Sequence, residues 1–188
     1  MRQRLDTDVR REQLLEVGLE VFGKRPLGDV SMSAVAAEAG VSHGLLFHYF
    51  GSKRGYYTAV VRWVTDRLVA ATEPDPERSP PERLRDGLRA HVDFAESHPV
   101  GYAAIVGGGN GADEEIQAIC EEARARAARN LLDAIGMETP PPRVRIALRG
   151  WQGFVEGAVV EWIKARDMER EELIELMASA LPQLTDDQ

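Results

Sequence analysis

Apolar residues recur at helical spacing along most of the chain. No window alternates with period two for long, so no segment is typical of a strand. The period near 3.6 predicts helices over about 8–24, 53–72, 82–97, 99–106, 113–136, 142–167 and 170–181. The chain is therefore expected to be all-α.

The segment Ser31 to Lys53, SMSAVAAEAGVSHGLLFHYFGSK, predicts two short helices joined by a tight turn. Ser31 and Ser42 suit the N-cap positions, because a hydroxyl there accepts a hydrogen bond from a first-turn amide. Gly40 suits the turn, where a helix ends on a residue that tolerates positive φ. Leu46 and Phe50, four residues apart, point towards a core. This is the pattern of a helix-turn-helix, whose second helix enters the DNA major groove.

The opposite face of the second helix holds Gly44, Leu45 and His48, with Phe47 and Tyr49 on its flanks. Gly44 keeps this face low enough for close approach, and hydrogen-bonding groups such as those of His43 read base edges. Tyr49 and Lys53 suit phosphate contacts. A plain helical hairpin with an aromatic core is the alternative, but a solvent-facing helix more often carries Glu and Lys here.

The run AGVSHGLLFHYFGSK resembles the DNA-binding signature of the TetR family of bacterial transcriptional regulators. The match covers about the first third of the chain. The family usually has Tyr where this chain has Phe47, so one hydroxyl-to-phosphate contact is missing and Phe47 is expected to pack on a sugar or a thymine methyl. With the face described above, the resemblance implies DNA contacts from Ser31, Ser33, Ser42, His43, Gly44, Leu45, Phe47, His48, Tyr49 and Lys53.

Composition places the chain among soluble globular proteins, with 44% apolar and 29% charged residues. No run approaches a membrane span, and the charged N-terminus lacks the apolar stretch of a signal peptide. The single Cys120 excludes an internal disulfide and fits a reducing compartment. We therefore expect a cytoplasmic protein with no membrane partner.

The net charge of −8 is unevenly distributed. Residues 1–55 carry 8 Lys and Arg against 7 Asp and Glu, and the remainder carries 15 against 24. The acidic excess therefore lies away from the predicted DNA face. Arg2, Arg4, Arg10 and Arg11 gather at the start, either as a basic arm or as a frayed terminus.

The stretch 143–164 combines an apolar stripe with glycines at positions 150, 153 and 157. Glycine inside a helix costs about 1 kcal/mol relative to alanine, and close approach of another helix would offset that cost. Together with the apolar face of 170–181, this predicts a homodimer through about 143–181, as the family resemblance also implies. The alternative is that both apolar faces close the monomer core.

Glu156 stands on an otherwise apolar stretch and needs a partner or water. We expect it either to pair with Arg149 or Arg145, or to bind an effector. Around it we predict a small-molecule pocket lined by His91, Tyr102, Trp151, Phe154 and Glu156. His98 and Gln152 are further candidates for the pocket wall.

The sequence gives no sign of an enzyme, a cofactor or a metal site. The four histidines lack metal-ligand spacing, and no serine sits in a nucleophile elbow. GGGNG at 107–111 lacks the ending of a phosphate loop, which favours a connection between helices.

These observations predict a three-helix DNA-binding head over 1–53 and an effector-binding and dimerisation body over 54–188. The predicted function is a ligand-responsive repressor that binds a palindromic operator on double-stranded DNA as a homodimer. The alternative is a helical ligand-binding or protein-interaction module that has lost specific DNA binding.

Overall fold

The computed structural model describes residues 7–24, 29–70, 73, 75, 77–106 and 113–185. Regular structure in these residues is entirely helical, which confirms the all-α prediction. Arg2, Arg4 and the segment 107–111 lie outside the described residues. The helices are α1 (Thr7–Lys24), α2 (Met32–Glu38), α3 (His43–Phe50), α4 (Lys53–Ala70), α5 (Pro80–Ser97), α6 (Pro99–Val106), α7 (Glu114–Ala134), α8 (Pro142–Ala165) and α9 (Arg170–Thr185).

The helix bounds agree with the periodicity to within two residues, except at the end of α9. That helix continues past Pro182 to Thr185, whereas the prediction ended at 181. A proline removes one amide donor, and near the end of a helix that loss affects little of the hydrogen-bond ladder. Arg10 and Arg11 belong to α1, so these two residues form neither a separate basic arm nor a frayed terminus.

One apolar cluster joins the head to the body. Leu14, Leu46 and Val60 are fully buried in it, and Ile105 and Ile116 reach it from α6 and α7. Since α4 contributes to the same cluster along most of its length, the proposed boundary between residues 53 and 54 remains a prediction. The described head therefore packs directly on the body.

The crossing of α1 and α6 is unusually close, because each helix has a glycine there. A Cβ atom on Gly101 would lie 2.4 Å from Leu19 Cδ1 and 2.9 Å from the Leu19 carbonyl oxygen. A Cβ on Gly23 would lie 2.6 Å from the backbone nitrogen of Gly101. The two backbones therefore touch, and α6 holds the first helix of the head.

A second apolar cluster joins α5, α6, α8 and α9. Trp151 anchors it by donating from Nε1 to the Met177 carbonyl at 2.8 Å, and Trp162 donates to the Met168 carbonyl at 2.7 Å. The apolar stripes of α8 and α9 therefore close the monomer core. Within the described residues, no helix is both long and apolar enough to cross a membrane.

Candidate DNA-binding face and body cavity

The turn between α2 and α3 is built by its predicted residues. Gly40 adopts φ of +63°, and the amide of Val41 bonds the Ala36 carbonyl at 2.9 Å. Ser42 caps α3, its hydroxyl accepting from the Leu45 amide at 3.1 Å. Leu46 is completely buried, as its spacing predicted.

Ser31 corrects one expectation. It occupies the N-cap position of α2 with an extended backbone, but its side chain makes no capping hydrogen bond. The Ser31 residue is exposed, so water can solvate a hydroxyl that does not reach the first turn. The backbone alone starts the helix here, with the Ser31 carbonyl accepting from the Val35 amide at 3.1 Å.

None of the predicted DNA contacts is buried. Three are half-buried, namely Leu45, Tyr49 and Lys53. The exposed ones are Ser31, Ser33, Ser42, His43, Gly44, Phe47 and His48. Helix α3 therefore presents the outer surface that its sequence pattern indicated.

Gly44 and the rings beside it shape this surface. A Cβ on Gly44 would meet nothing within 4 Å, so the protein itself does not require glycine there. The rings of His43 and Phe47 lie 4.6 Å apart, and Phe47 is 37% exposed, a large fraction for an aromatic side chain. The surface at Gly44 therefore has no side chain, and the exposed Phe47 ring and the exposed imidazoles of His43 and His48 lie around it.

Part of the positive charge beside α3 comes from Arg11, which the sequence groups with the N-terminal arginines. The Arg11 guanidinium lies 5.6 Å from the centre of the Phe50 ring, so α1 sets a cation next to the recognition helix. Only tertiary packing brings these residues together, and no spacing in the sequence signals it. Lys53 is held more firmly than expected, because its ammonium donates to the Val30 carbonyl at 2.8 Å.

The body contains a cavity of about 550 Å³, within the range of small-molecule sites. Its wall is mainly apolar and comes from α4 to α9. Among the predicted pocket residues, His91, Trp151 and Glu156 line it, and so does Gln152.

Tyr102 and Phe154 correct the predicted pocket. Tyr102 is fully buried outside the cavity wall, and its hydroxyl lies 2.6 Å from Nε2 of His91. Phe154 lies on the outer side of α8 and is 39% exposed. His98 is not in the wall either, because it stacks on Phe94 at 4.7 Å. Helical spacing showed that these residues share helices with the pocket but not which side each one faces.

Glu156 has a partner that the sequence did not suggest. Nε and Nη2 of Arg124 donate to its two carboxylate oxygens at 2.8 and 2.9 Å. The expected pairing with Arg149 or Arg145 is wrong for Arg149, which donates to Glu121 instead, and Arg145 has no ion pair with Glu156. The packing of α7 against α8 decides this, across 32 residues of sequence.

Burial shifts the pKa values of His91 and Tyr102, which lie near the Arg124–Glu156 pair. It lowers the pKa of His91 to about 4, so the imidazole is neutral near pH 7. Burial also raises the pKa of Tyr102, and the nearby Glu156 carboxylate raises it further. The hydrogen bond to Glu156 raises the pKa of Arg124. Among the described residues, no group of His, Cys, Asp and Glu could hold a metal ion.

Comparison with known proteins agrees with both parts of this structure. Residues 14–60 match the family model of the bacterial regulatory proteins, tetR family, and residues 80–182 match that of the tetracyclin repressor-like C-terminal domain.

Two relatives and one solved structure illustrate the similarity. The chain is 30% identical over 158 residues to the HTH-type transcriptional regulator BetI of Stenotrophomonas maltophilia, which covers 79% of each protein. It is 36% identical over 104 residues to the HTH-type transcriptional activator FasR of Mycolicibacterium smegmatis, covering 54% of this chain and 48% of that protein. A crystal structure of a tetR-family transcriptional regulator from Streptomyces coelicolor superimposes with a TM-score of 0.83 at 26% identity, covering 96% of this chain and 82% of that one.

Proposed function

This chain belongs to the TetR family of bacterial transcriptional regulators, and from that premise we propose that it is a repressor that leaves its operator when a small molecule fills the body cavity. It is a DNA-binding, ligand-responsive regulator of transcription. The finer proposal adds a palindromic operator, a homodimer and release by an effector.

The observation that carries the DNA-binding part is the outer face of α3. Its predicted contact residues are accessible, and the low point at Gly44 is open to solvent. A recognition helix needs such a face, because side chains and backbone must approach base edges closely. Ser42 caps the start of this helix, and the buried Leu46 anchors its inner side in the core.

A second face, on α8, supports the homodimer. A Cβ atom added at Gly150 or Gly157 would meet nothing within 4 Å, and one added at Gly153 would meet only the Arg149 side chain, at 3.9 Å. Ile146 and Phe154 on the same side are 68% and 39% exposed, and Leu176 on α9 is 45% exposed. Within the described part of the chain nothing covers this glycine face, which is formed by Ile146, Gly150, Gly153, Phe154 and Gly157. A second copy would cover it, in a four-helix arrangement with two-fold symmetry.

The cavity wall supports the coupling between the two functions. Leu68 and Val69 of α4 line the cavity, and so does Ile105 of α6, which also joins the cluster of the head. A ligand that binds better to the state with wrongly spaced heads lowers operator affinity by that difference in affinity. Both α4 and α6 are placed to transmit the change.

The experiment that tests this function is selection of bound duplexes from a random DNA library. We expect an enriched palindrome with half-sites about one helical turn apart, bound by two protomers in sedimentation equilibrium. An enriched sequence without two-fold symmetry, bound by one protomer, would contradict the dimer. In a reporter that carries the palindrome at its promoter, we expect expression to fall; a rise would indicate an activator.

The dimer face has its own test. Gly153→Glu places a charge where the monomer has open space, so the fold should survive while the dimer dissociates. Ala118→Glu, on the exposed face of α7, is the matched control and should remain dimeric. Equal dimer stability in the two variants would remove the glycine face from the interface.

A further inference from the structure

The cavity extends along two helices of the body. Its wall includes residues from Cys120 to Leu132 on α7 and from Val144 to Glu156 on α8, twelve residue steps in each case. At a rise of 1.5 Å per residue, both distances are about 18 Å. The two helices run antiparallel, because Arg124 meets Glu156 while Leu132 clusters with Val144.

The two ends of this cavity differ. At the inner end, Ile105 and Cys120 belong to the apolar cluster shared with the head, and the Arg124–Glu156 pair lies beside them. At the outer end, the wall includes both buried and surface residues: Leu132 and Val144 are buried, whereas Ile135 is 56% exposed. Between the ends the wall is mainly apolar and includes Leu88, Leu131, Leu148 and Val155, while Asn130 and Gln152 add two polar groups.

The inner end is polar but its charges are already paired, since Arg149 also donates to Glu121 at 3.0 Å. The Arg124 guanidinium bonds both oxygens of Glu156 and, through Nη1, one oxygen of Glu121 at 2.9 Å. The side chains of Arg124 and Glu156 are only 21% and 19% exposed. An added anion would face two carboxylates, and an added cation would face the guanidinium. Charge without a partner is costly in such a site, whereas a hydroxyl or amide can bond the existing groups.

We propose that the effector is an elongated, uncharged amphiphile, whose apolar chain fills the 18 Å length and whose hydrogen-bonding group lies against Arg124 and Glu156. This inference rests on the proposed function, because it names the ligand of the same cavity. Arg83 and Arg85, which also line the wall, would attract an anionic head only weakly, because Arg85 already donates to both oxygens of Glu175 and water screens exposed pairs. An extended chain advances about 1.25 Å per carbon–carbon bond of about 1.5 Å, so about 14 carbons span the length, or about 12 carbons once the hydroxyl and the van der Waals radii of the two ends are included.

The first test compares the affinities of four probes for the wild-type protein in the absence of DNA. Isothermal titration calorimetry with 1-dodecanol, dodecanoate and dodecylammonium varies the head at constant chain length. We expect 1-dodecanol to bind at least tenfold more tightly than either charged probe. 1-Hexanol should bind at least a hundredfold more weakly than 1-dodecanol, since each methylene buried contributes about fourfold. Equal or tighter binding of a charged probe, or no binding of 1-dodecanol, would overturn the proposal.

A charge variant tests the position of the head. Glu156→Gln preserves the shape but removes the carboxylate that neutralises Arg124. Dodecanoate should then gain at least tenfold in affinity relative to 1-dodecanol, because the guanidinium is left with one carboxylate fewer. An unchanged preference would show that the head does not lie at the inner end.

Occupancy of the cavity has two further readouts. Cys120 lies at its inner end and is the single cysteine of the chain, so 1-dodecanol should slow its alkylation by a maleimide and 1-hexanol should not. Ala127→Phe places a ring in the middle of the cavity and should abolish binding, whereas Ala118→Phe on the exposed face should not. If Ala127→Phe does not fold, the wild-type probe series and the alkylation assay still decide the question.

Separate experiments test the proposed function and the proposed ligand class, so failure of one can be told from failure of the other. Calorimetry and alkylation are performed without DNA, and duplex selection is performed without ligand. A palindrome with no 1-dodecanol binding would overturn only the ligand class. Binding of 1-dodecanol to a protein that selects no duplex would overturn only the DNA-binding proposal.

Discussion

Gly44→Ala should change stability and operator affinity in opposite directions. In the free protein a Cβ at this position meets nothing within 4 Å, and the residue lies in the first turn of α3. Alanine restricts the unfolded chain more than glycine does, so the free energy of unfolding should rise by about 0.5 kcal/mol. The same methyl group would stand on the surface proposed to enter the major groove.

The cost to DNA binding follows from close packing. An extra carbon in a tightly packed contact typically costs about 1–3 kcal/mol, which corresponds to a loss of affinity on the order of tenfold to a hundredfold. The assay is a fluorescence anisotropy titration of the selected duplex, together with urea denaturation of the free protein. Because the substitution carries no charge, the dependence of affinity on salt should stay the same.

Gly101→Ala is the matched control. There the new Cβ would lie 2.4 Å from Leu19 Cδ1 and 2.9 Å from a backbone oxygen, so the overpacking cost of about 1–3 kcal/mol opposes the helix-propensity gain of about 1 kcal/mol. The free energy of unfolding should therefore fall. If Gly44→Ala left operator affinity within threefold of wild type, the α3 face would not approach DNA closely. If it lowered stability, the assignment of Gly44 to open space would be wrong.

Two further predictions concern the body. His91 has a pKa of about 4 in the folded chain and about 6.5 when unfolded, so the unfolded state binds more protons as the pH falls below 6.5. The free energy of unfolding should drop by about 1–2 kcal/mol between pH 7.5 and pH 5 from this residue alone. Urea titrations at the two pH values should show that His91→Gln removes this part of the drop. An identical drop in the variant and the wild type would contradict the prediction. Arg124→Met leaves the half-buried Glu156 without its bidentate partner and should cost about 1–3 kcal/mol at pH 7. Adding Glu156→Gln to that variant should recover most of the loss, and simple additivity of the two single changes would show that the pair is not coupled.

Local features of the head were predictable from the sequence. Gly40 and Ser42 act through neighbours within a few residues, and their turn and cap agree with the pattern. Leu46 is buried as its helical spacing to Phe50 predicted, although other helices supply the core around it. The Ser31 hydroxyl and the Lys53 ammonium differ, because their orientation depends on groups that the spacing does not reveal. The contact of Arg11 with Phe50 likewise exists only in the folded head.

In the body, the sequence pattern predicted the helices but not how their faces pack against one another. Periodicity gave α8 an apolar stripe and a glycine face but did not say which one faces the monomer core. Trp151 and Val155 turn inward, and Phe154 turns outward with the glycines. Glu156 was recognisable as a residue in need of a partner, but Arg124 lies on another helix and no local rule pairs them. The cavity itself follows from how six helices pack, which no single stripe encodes.

The most direct test of a ligand-responsive regulator is a thermodynamic cycle between its two sites. The affinity of the selected duplex is measured with and without a saturating compound that protects Cys120 from alkylation, and the affinity of that compound is measured with and without the duplex. If the cavity and the α3 face are linked, the compound weakens the duplex by at least about fivefold, and the duplex weakens the compound by the same factor. If a compound that fills the cavity leaves duplex affinity unchanged, the two sites are independent and the account of effector-driven release is contradicted.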